Sequence, residues 1–289
     1  MSNFHQDNRL SWSRDDIEQK IGIRGGRFTS VNTKLCAVLA IVVTVSFYVI
    51  LYLTPSGWFS DMFTKRGMTP YCMILLASWS LFILLIKAAK VRLQRKALKI
   101  AIIPREHDFV LSPNTVDQVL GNVANAVEQP KFFFLFNRIV GTLSNLKNIG
   151  NISDVGDILR SYNDQDIESV ETSHSLLNGF LWSIPVLGFI GTVEGLSQAI
   201  GNFGKVLSAG ADMAALTLSL QDVTGGLATA FETTLVALVL ALALQLLATA
   251  MKKSEEELLL ACSEYCTTNI VSRLRTEKLS IEPTDSNFV

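Results

Sequence analysis

Four stretches of this chain are long and apolar enough to cross a lipid bilayer as helices, and they restrict what it can fold into. A helix needs about 20 mainly apolar residues to span the hydrocarbon layer. Residues 35–60 contain no charge and are nearly all apolar as far as Leu53. Residues 67–86 are uncharged, with Pro70 near the expected helix start. Residues 175–193 are charge-free, and their apolar pattern runs on through Leu196, Ala199, Ile200 and Phe203. The fourth stretch runs from Gly225 to Ala250 and is closed by Lys252 and Lys253. With no water in the bilayer core, each segment must satisfy its backbone polar groups internally, so each is expected to be a helix. A composition of 49% hydrophobic and 18% charged residues fits a membrane protein with one sizeable polar portion.

Charge placement sets the expected orientation. Lys87, Lys90, Arg92, Arg95, Lys96 and Lys99 follow the second stretch directly, and basic loops stay on the cytoplasmic side. The loop with Asp61, Lys65 and Arg66 is then outside, and Arg24, Arg27 and Lys34 hold the N-terminus inside. The polar lead and the apolar run after it are both too long for a cleavable signal peptide. The expected fold is an all-α membrane protein with both termini cytoplasmic. Its spans are 35–54, 67–86, 175–204 and 224–251. A cytoplasmic segment 1–34 precedes them, and a helical cytoplasmic region 87–174 lies between spans two and three. An amphipathic cytoplasmic helix 252–278 follows, with Leu258, Leu259, Cys262, Cys266, Ile270 and Leu274 at helical intervals, and then a disordered tail 279–289.

Within 87–174, Val116, Val119, Leu120, Val123, Ala126 and Val127 recur at helical spacing. Ser112 or Asn114 is a candidate cap for that helix. Further helices are expected over 132–143 and 155–159. His107, Asp108 and His174 have no companions at ligand or triad spacing and are read as surface or structural groups. Cys262 and Cys266 lie one turn apart with no nearby third ligand, so no metal site is expected, and no cofactor. A net charge of −1 and the lack of a basic stripe give no reason to expect nucleic acid as a partner.

Two segments carry unusual polar content for a membrane. Residues 182–195 read W-S-I-P-V-L-G-F-I-G-T-V-E-G, and residues 225–238 read G-G-L-A-T-A-F-E-T-T-L-V-A-L. On span three, Gly188, Gly191, Thr192, Gly195, Ala199 and Asn202 form a small-polar stripe. On span four, Gly226, Ala230, Thr234, Ala237, Ala241, Gln245 and Ala248 do the same. Such stripes let antiparallel neighbours pack closely or face a shared space. Two residues of helix turn through about 200°, so Glu194 points away from Thr192, and Glu232 from Thr234. The threonines and glutamates therefore cannot share one pore. Thr192, Thr234 and the adjoining Thr233 are placed on an ion path, and Glu194 and Glu232 at helix or subunit contacts. Glu232 has Thr229 on its own face as a hydrogen-bond candidate. No nucleophile–base pair accompanies these groups, and 188–195 lacks the Lys-Ser/Thr ending of a phosphate loop, so no enzyme is expected.

I-P-V-L-G-F-I-G-T-V-E-G-L at 184–196 and G-L-A-T-A-F-E-T-T-L-V-A-L at 226–238 resemble the two pore-helix motifs of the MotA/TolQ/ExbB proton-channel family. The likeness covers about 165–255, and four spans with an inside N-terminus are similar to the MotA layout. Thr192 matches the threonine of the family's G-T-V segment, and Thr234 the second pore threonine. Thr229 stands where a helix-start glutamate is frequent, and Glu194 where an apolar or aromatic residue is usual. The resemblance implies a five-subunit ring in a bacterial inner membrane. The ring would enclose the single transmembrane helices of ExbD/TolR/MotB-like partners, whose membrane aspartate takes up and releases the ion. Ion flow, of protons or of sodium, would then drive mechanical work. Two other readings stand beside it: a membrane scaffold that uses the stripes only for packing, and a small secondary transporter, for which no inverted repeat is visible.

Overall fold

The computed structural model describes residues 9–22, 25–55, 57–64, 67–103, 111, 115–149, 154–208 and 213–274. The expectations for Ser112, Asn114, His107, Asp108 and the tail lie outside them. Among these residues the chain is helical, and β-structure is confined to two isolated bridges, Leu10 with Val127 and Leu111 with Leu274. In chain order the helices are α1 (Trp12–Asp15), α2 (Ile17–Lys20), α3 (Thr33–Leu53), α4 (Trp58–Thr64), α5 (Thr69–Leu98), α6 (Val116–Ala126), α7 (Phe134–Ile149), α8 (Val155–Ser208) and α9 (Met213–Asn269). α3, α5, α8 and α9 are long and apolar enough to cross a membrane.

Two lengths differ from the reading above. α8 runs 54 residues without a break, so the separate helix at 155–159 and the span beginning at 175 are one element. α9 runs 57 residues, joining part of the expected outer loop, the fourth span and the amphipathic helix. Polar stretches such as 252–257, K-K-S-E-E-E, favour helix without interrupting it. Pro185 lies inside α8 and does not end it. Losing one backbone bond is tolerated where neighbouring helices and side chains reorganise around it.

The chain divides into two compact units. One comprises Met1–Asp16, Arg92–Glu168 and Glu256–Val289. Its core is aromatic: Trp12 stacks on Phe132 at 5.6 Å and meets Phe133 edge-on at 5.3 Å. Phe134, Phe136, Ile139 and Leu143 of α7 are fully buried, as are Val116 and Val119 of α6. Gln94 ties this core to the backbone. Its amide donates to the Phe132 carbonyl at 2.8 Å, and its side-chain oxygen accepts from the Phe134 N–H at 3.1 Å. Cys262 and Cys266 are buried here, and desolvation pushes both thiols up to about 12, which leaves them protonated and poor as ligands or nucleophiles.

The other unit comprises Ile17–Val91 and Ser169–Glu255 and holds the apolar helices. Leu35, Cys36, Ile83 and Ile86 form a buried cluster, with Trp79 packed 4.8 Å from Phe180. Large apolar side chains such as Ile50, Trp182, Phe189, Leu242 and Leu246 stay exposed on the chain taken alone, as lipid-facing residues would be. α3 is capped by Asn32, whose side-chain oxygen accepts from the N–H groups of Lys34 at 3.1 Å and Leu35 at 3.4 Å. Asn32→Ala is expected to cost about 1 kcal/mol, measured by thermal unfolding in detergent.

Candidate functional site

The small-residue stripes of α8 and α9 meet each other in antiparallel register. A Cβ at Gly188 would overlap that of Ala237 and lie 3.4 Å from the Thr234 Cα. One at Gly191 would sit 2.9 Å from the Thr233 methyl, one at Gly195 3.3 Å from the Ala230 Cβ, and one at Gly226 2.7 Å from the Ala199 Cβ. As the index rises along α8 in steps of three or four, it falls along α9 in steps of three or four. These glycines are therefore required by close approach, since any side chain would separate the helices. Ala230, Ala237 and Ala241 are buried, as is Thr233. Within one chain, then, the stripes serve packing.

Thr192 and Thr234 lie at the centre of this seam. Their hydroxyls are in direct contact. The Gly188 carbonyl accepts from Thr234 at 3.0 Å and lies 3.1 Å from the Thr192 hydroxyl, which is also 3.3 Å from the Ala230 carbonyl. Each hydroxyl has one proton to donate. One proton bridges the pair and the other goes to a backbone carbonyl, so oxygen lone pairs remain for water or a cation. Both threonines are half-buried and so partly reachable from outside the seam.

The two glutamates are placed differently. Glu194 is exposed and its carboxylate lies against Gly67, which has a φ of +70° in the left-handed region that favours glycine. A groove of about 240 Å³ runs past it, lined by Gln198, Asn202, Asp222 and Thr233 among others. Glu194, Gln198 and Asn202 recur every four residues on one face of α8, so the groove is polar and acidic. Glu232 is half-buried and does not line it. The side chain of Thr229, its suggested partner, lies outside the described side chains.

Two buried ionic clusters in the same unit were not visible in the sequence. Lys87 and Lys90 belong to the basic run that set the expected orientation, yet both are buried. Lys87 donates to Glu255 at 2.9 Å and to the Ser173 hydroxyl at 2.7 Å, while the other Glu255 oxygen bonds His174. Lys90 bonds Glu18 and the carbonyls of Gly26 at 3.3 Å and Ser30 at 2.6 Å. Glu18 also accepts from the Asn32 N–H at 2.7 Å. The remaining members, Arg92, Arg95, Lys96 and Lys99, are exposed. One signal was available: Ile83, Lys87, Lys90, Gln94 and Ala97 repeat every three or four residues, and this is the buried stripe of α5.

Among the described residues no group of three or more His, Cys, Asp or Glu could hold a metal ion. No curated protein and no solved structure matches the chain. Residues 136–264, slightly under half of the chain, match the model of the MotA/TolQ/ExbB proton channel family, a family of channels rather than of enzymes. That segment covers most of α7, all of α8 and most of α9, including the seam with Thr192 and Thr234. Four helices are able to span a bilayer, as in a membrane protein, and over two of them the chain is similar to the MotA/TolQ/ExbB proton channel family.

Proposed function

We propose that this chain is the ring-forming subunit of an inner-membrane channel that couples proton flow to mechanical work, with Thr192 and Thr234 lining the path. The observation that carries the reading is the hydroxyl pair held between α8 and α9 in a seam of small side chains. Hydroxyl oxygens offer ligands to water without fixed charge, which suits protons relayed along a water chain. The spans contain no aspartate. The group that binds and releases the ion therefore comes from a partner, a single-span chain with a membrane aspartate enclosed by five copies of this one. Glu194, exposed and turned away from the hydroxyl pair, serves contacts between copies or with the partner, and so does Glu232. The exposed basic residues at the C-terminal end of α5, Arg92, Arg95, Lys96 and the following Lys99, support a cytoplasmic location for both termini.

Native mass spectrometry of the detergent-solubilised complex tests the ring. Five copies bound to a smaller chain are expected, and a monomer or dimer would overturn the proposal. The scaffold reading draws support from the seam, because close packing alone accounts for the glycines. It predicts that hydroxyl-free variants assemble and work normally, and the last experiment of the Discussion separates the two.

A further inference from the structure

A second polar cavity lies within the other unit, where neither the seam nor the ionic clusters reach. It has a volume of about 280 Å³ and is lined by Arg138 of α7, by Gly156, Arg160 and Asn163 of α8, and by Ser263 and Thr267 of α9. Arg138 is 1% exposed. Its Nε donates to Asp166 at 2.6 Å, while its Nη2 is buried and has no hydrogen-bond partner among the described residues. A buried guanidinium N–H left unsatisfied is costly, and native proteins seldom keep one without a use.

The surroundings specify the sign of the missing partner. Gly156, Arg160 and Asn163 recur at intervals of four and three on the first turns of α8, which begins at Val155. The cavity thus sits at a helix N-terminus, where free N–H groups and the helix dipole favour an anion. Among the described residues two arginines line it and no carboxylate does. Arg160 reaches Asp157 only at 3.8 Å with both side chains exposed, a weak pair that leaves its guanidinium available. On the α9 side, the Ser263 hydroxyl makes no hydrogen bond to the described residues. The Thr267 hydroxyl already donates its proton to the Ser263 carbonyl at 3.0 Å, so Ser263 is the hydroxyl donor that α9 offers.

We propose that this cavity binds a phosphate group. Guanidinium, amide and hydroxyl donors converge on it from three helices, more directions than the two oxygens of a carboxylate can answer. A tetrahedral oxyanion presents an acceptor to each of them. The volume accommodates phosphate with a small organic body attached, so the source is either free phosphate or a small phosphomonoester.

Isothermal titration of the full chain in detergent, at constant ionic strength, tests this. Inorganic phosphate and glycerol 3-phosphate are titrated in parallel, and the tighter of the two identifies the source. Saturable binding of at least one is expected, weakened about tenfold or more in Arg160→Gln, whose side chain is exposed and whose loss leaves the core intact. Arg138→Lys, which keeps the charge beside Asp166 but removes the second nitrogen, is expected to weaken binding similarly with unchanged helix content. Three results would overturn the proposal: no saturation by either probe at roughly 10 mM, unchanged affinity in Arg160→Gln, or the same heat from sodium chloride.

Discussion

Glu255→Leu is expected to destabilise the protein by about 3–5 kcal/mol, the largest effect of any single substitution considered. Lys87, Glu255 and His174 are all essentially inaccessible to solvent. Removing the carboxylate leaves the Lys87 ammonium in an apolar setting with the Ser173 hydroxyl as its remaining partner, and deprives His174 of its acceptor. Removing the other end is less damaging. Lys87→Met leaves Glu255 hydrogen-bonded to His174. The loss should therefore be smaller than for Glu255→Leu. The double variant Lys87→Met with Glu255→Leu takes away both charges and should recover much of the stability, because buried ion pairs replaced by apolar groups are often close to neutral. Equilibrium unfolding in detergent followed by tryptophan fluorescence measures all three. Equal losses in both single variants and no recovery in the double would contradict the assignment of Lys87 and Glu255 as one unit.

The second large effect is at the seam. Gly188→Ala places a methyl group where the Ala237 Cβ already stands, with the Thr234 backbone just behind it. The helices must separate or shift register, and overpacking of this kind costs about 1–3 kcal/mol. The Gly188 carbonyl also lies within hydrogen-bond reach of both threonine hydroxyls, so the same displacement should impair conduction. Ala237→Gly alone should be mild, whereas Gly188→Ala combined with Ala237→Gly exchanges the methyl across the seam and should restore stability and flux together. A double-mutant cycle on unfolding free energies measures this coupling. Additive losses would show that the two residues do not touch in the membrane.

The parts of this structure that were legible in the sequence are those set by local pattern. Uncharged apolar runs marked α3, α5 and the membrane parts of α8 and α9, because a bilayer-spanning helix needs little beyond length and composition. The periodic valines over 116–127 marked α6, all but the last of them within the helix. The stripes were legible for the same reason, since Gly188, Gly191 and Gly195 recur at helical intervals. What they contact depends on the register of α9 against α8, and that follows from the packing of both helices. The continuity of α8 was hidden because residues 160–174 are mostly polar and resemble a loop, although no helix breaker interrupts them. The ionic clusters were hidden by distance. Glu18 and Lys90 are 72 positions apart, and Lys87 and Glu255 168 apart. A basic run after a membrane span has a ready reading as a topology signal, and that reading obscured the inward position of two of its lysines.

Proton flux measures the central assignment most directly. The intact complex is reconstituted into vesicles loaded with a pH-sensitive dye, and Thr192→Val with Thr234→Val is compared with the natural chain. Valine keeps the shape of threonine but removes the oxygen. Native mass and helix content are therefore expected to be unchanged, while flux falls about tenfold or more, in line with about 1 kcal/mol for each hydroxyl hydrogen bond lost from the path. Undiminished flux through a normally assembled double variant would contradict the assignment and leave the seam as packing alone.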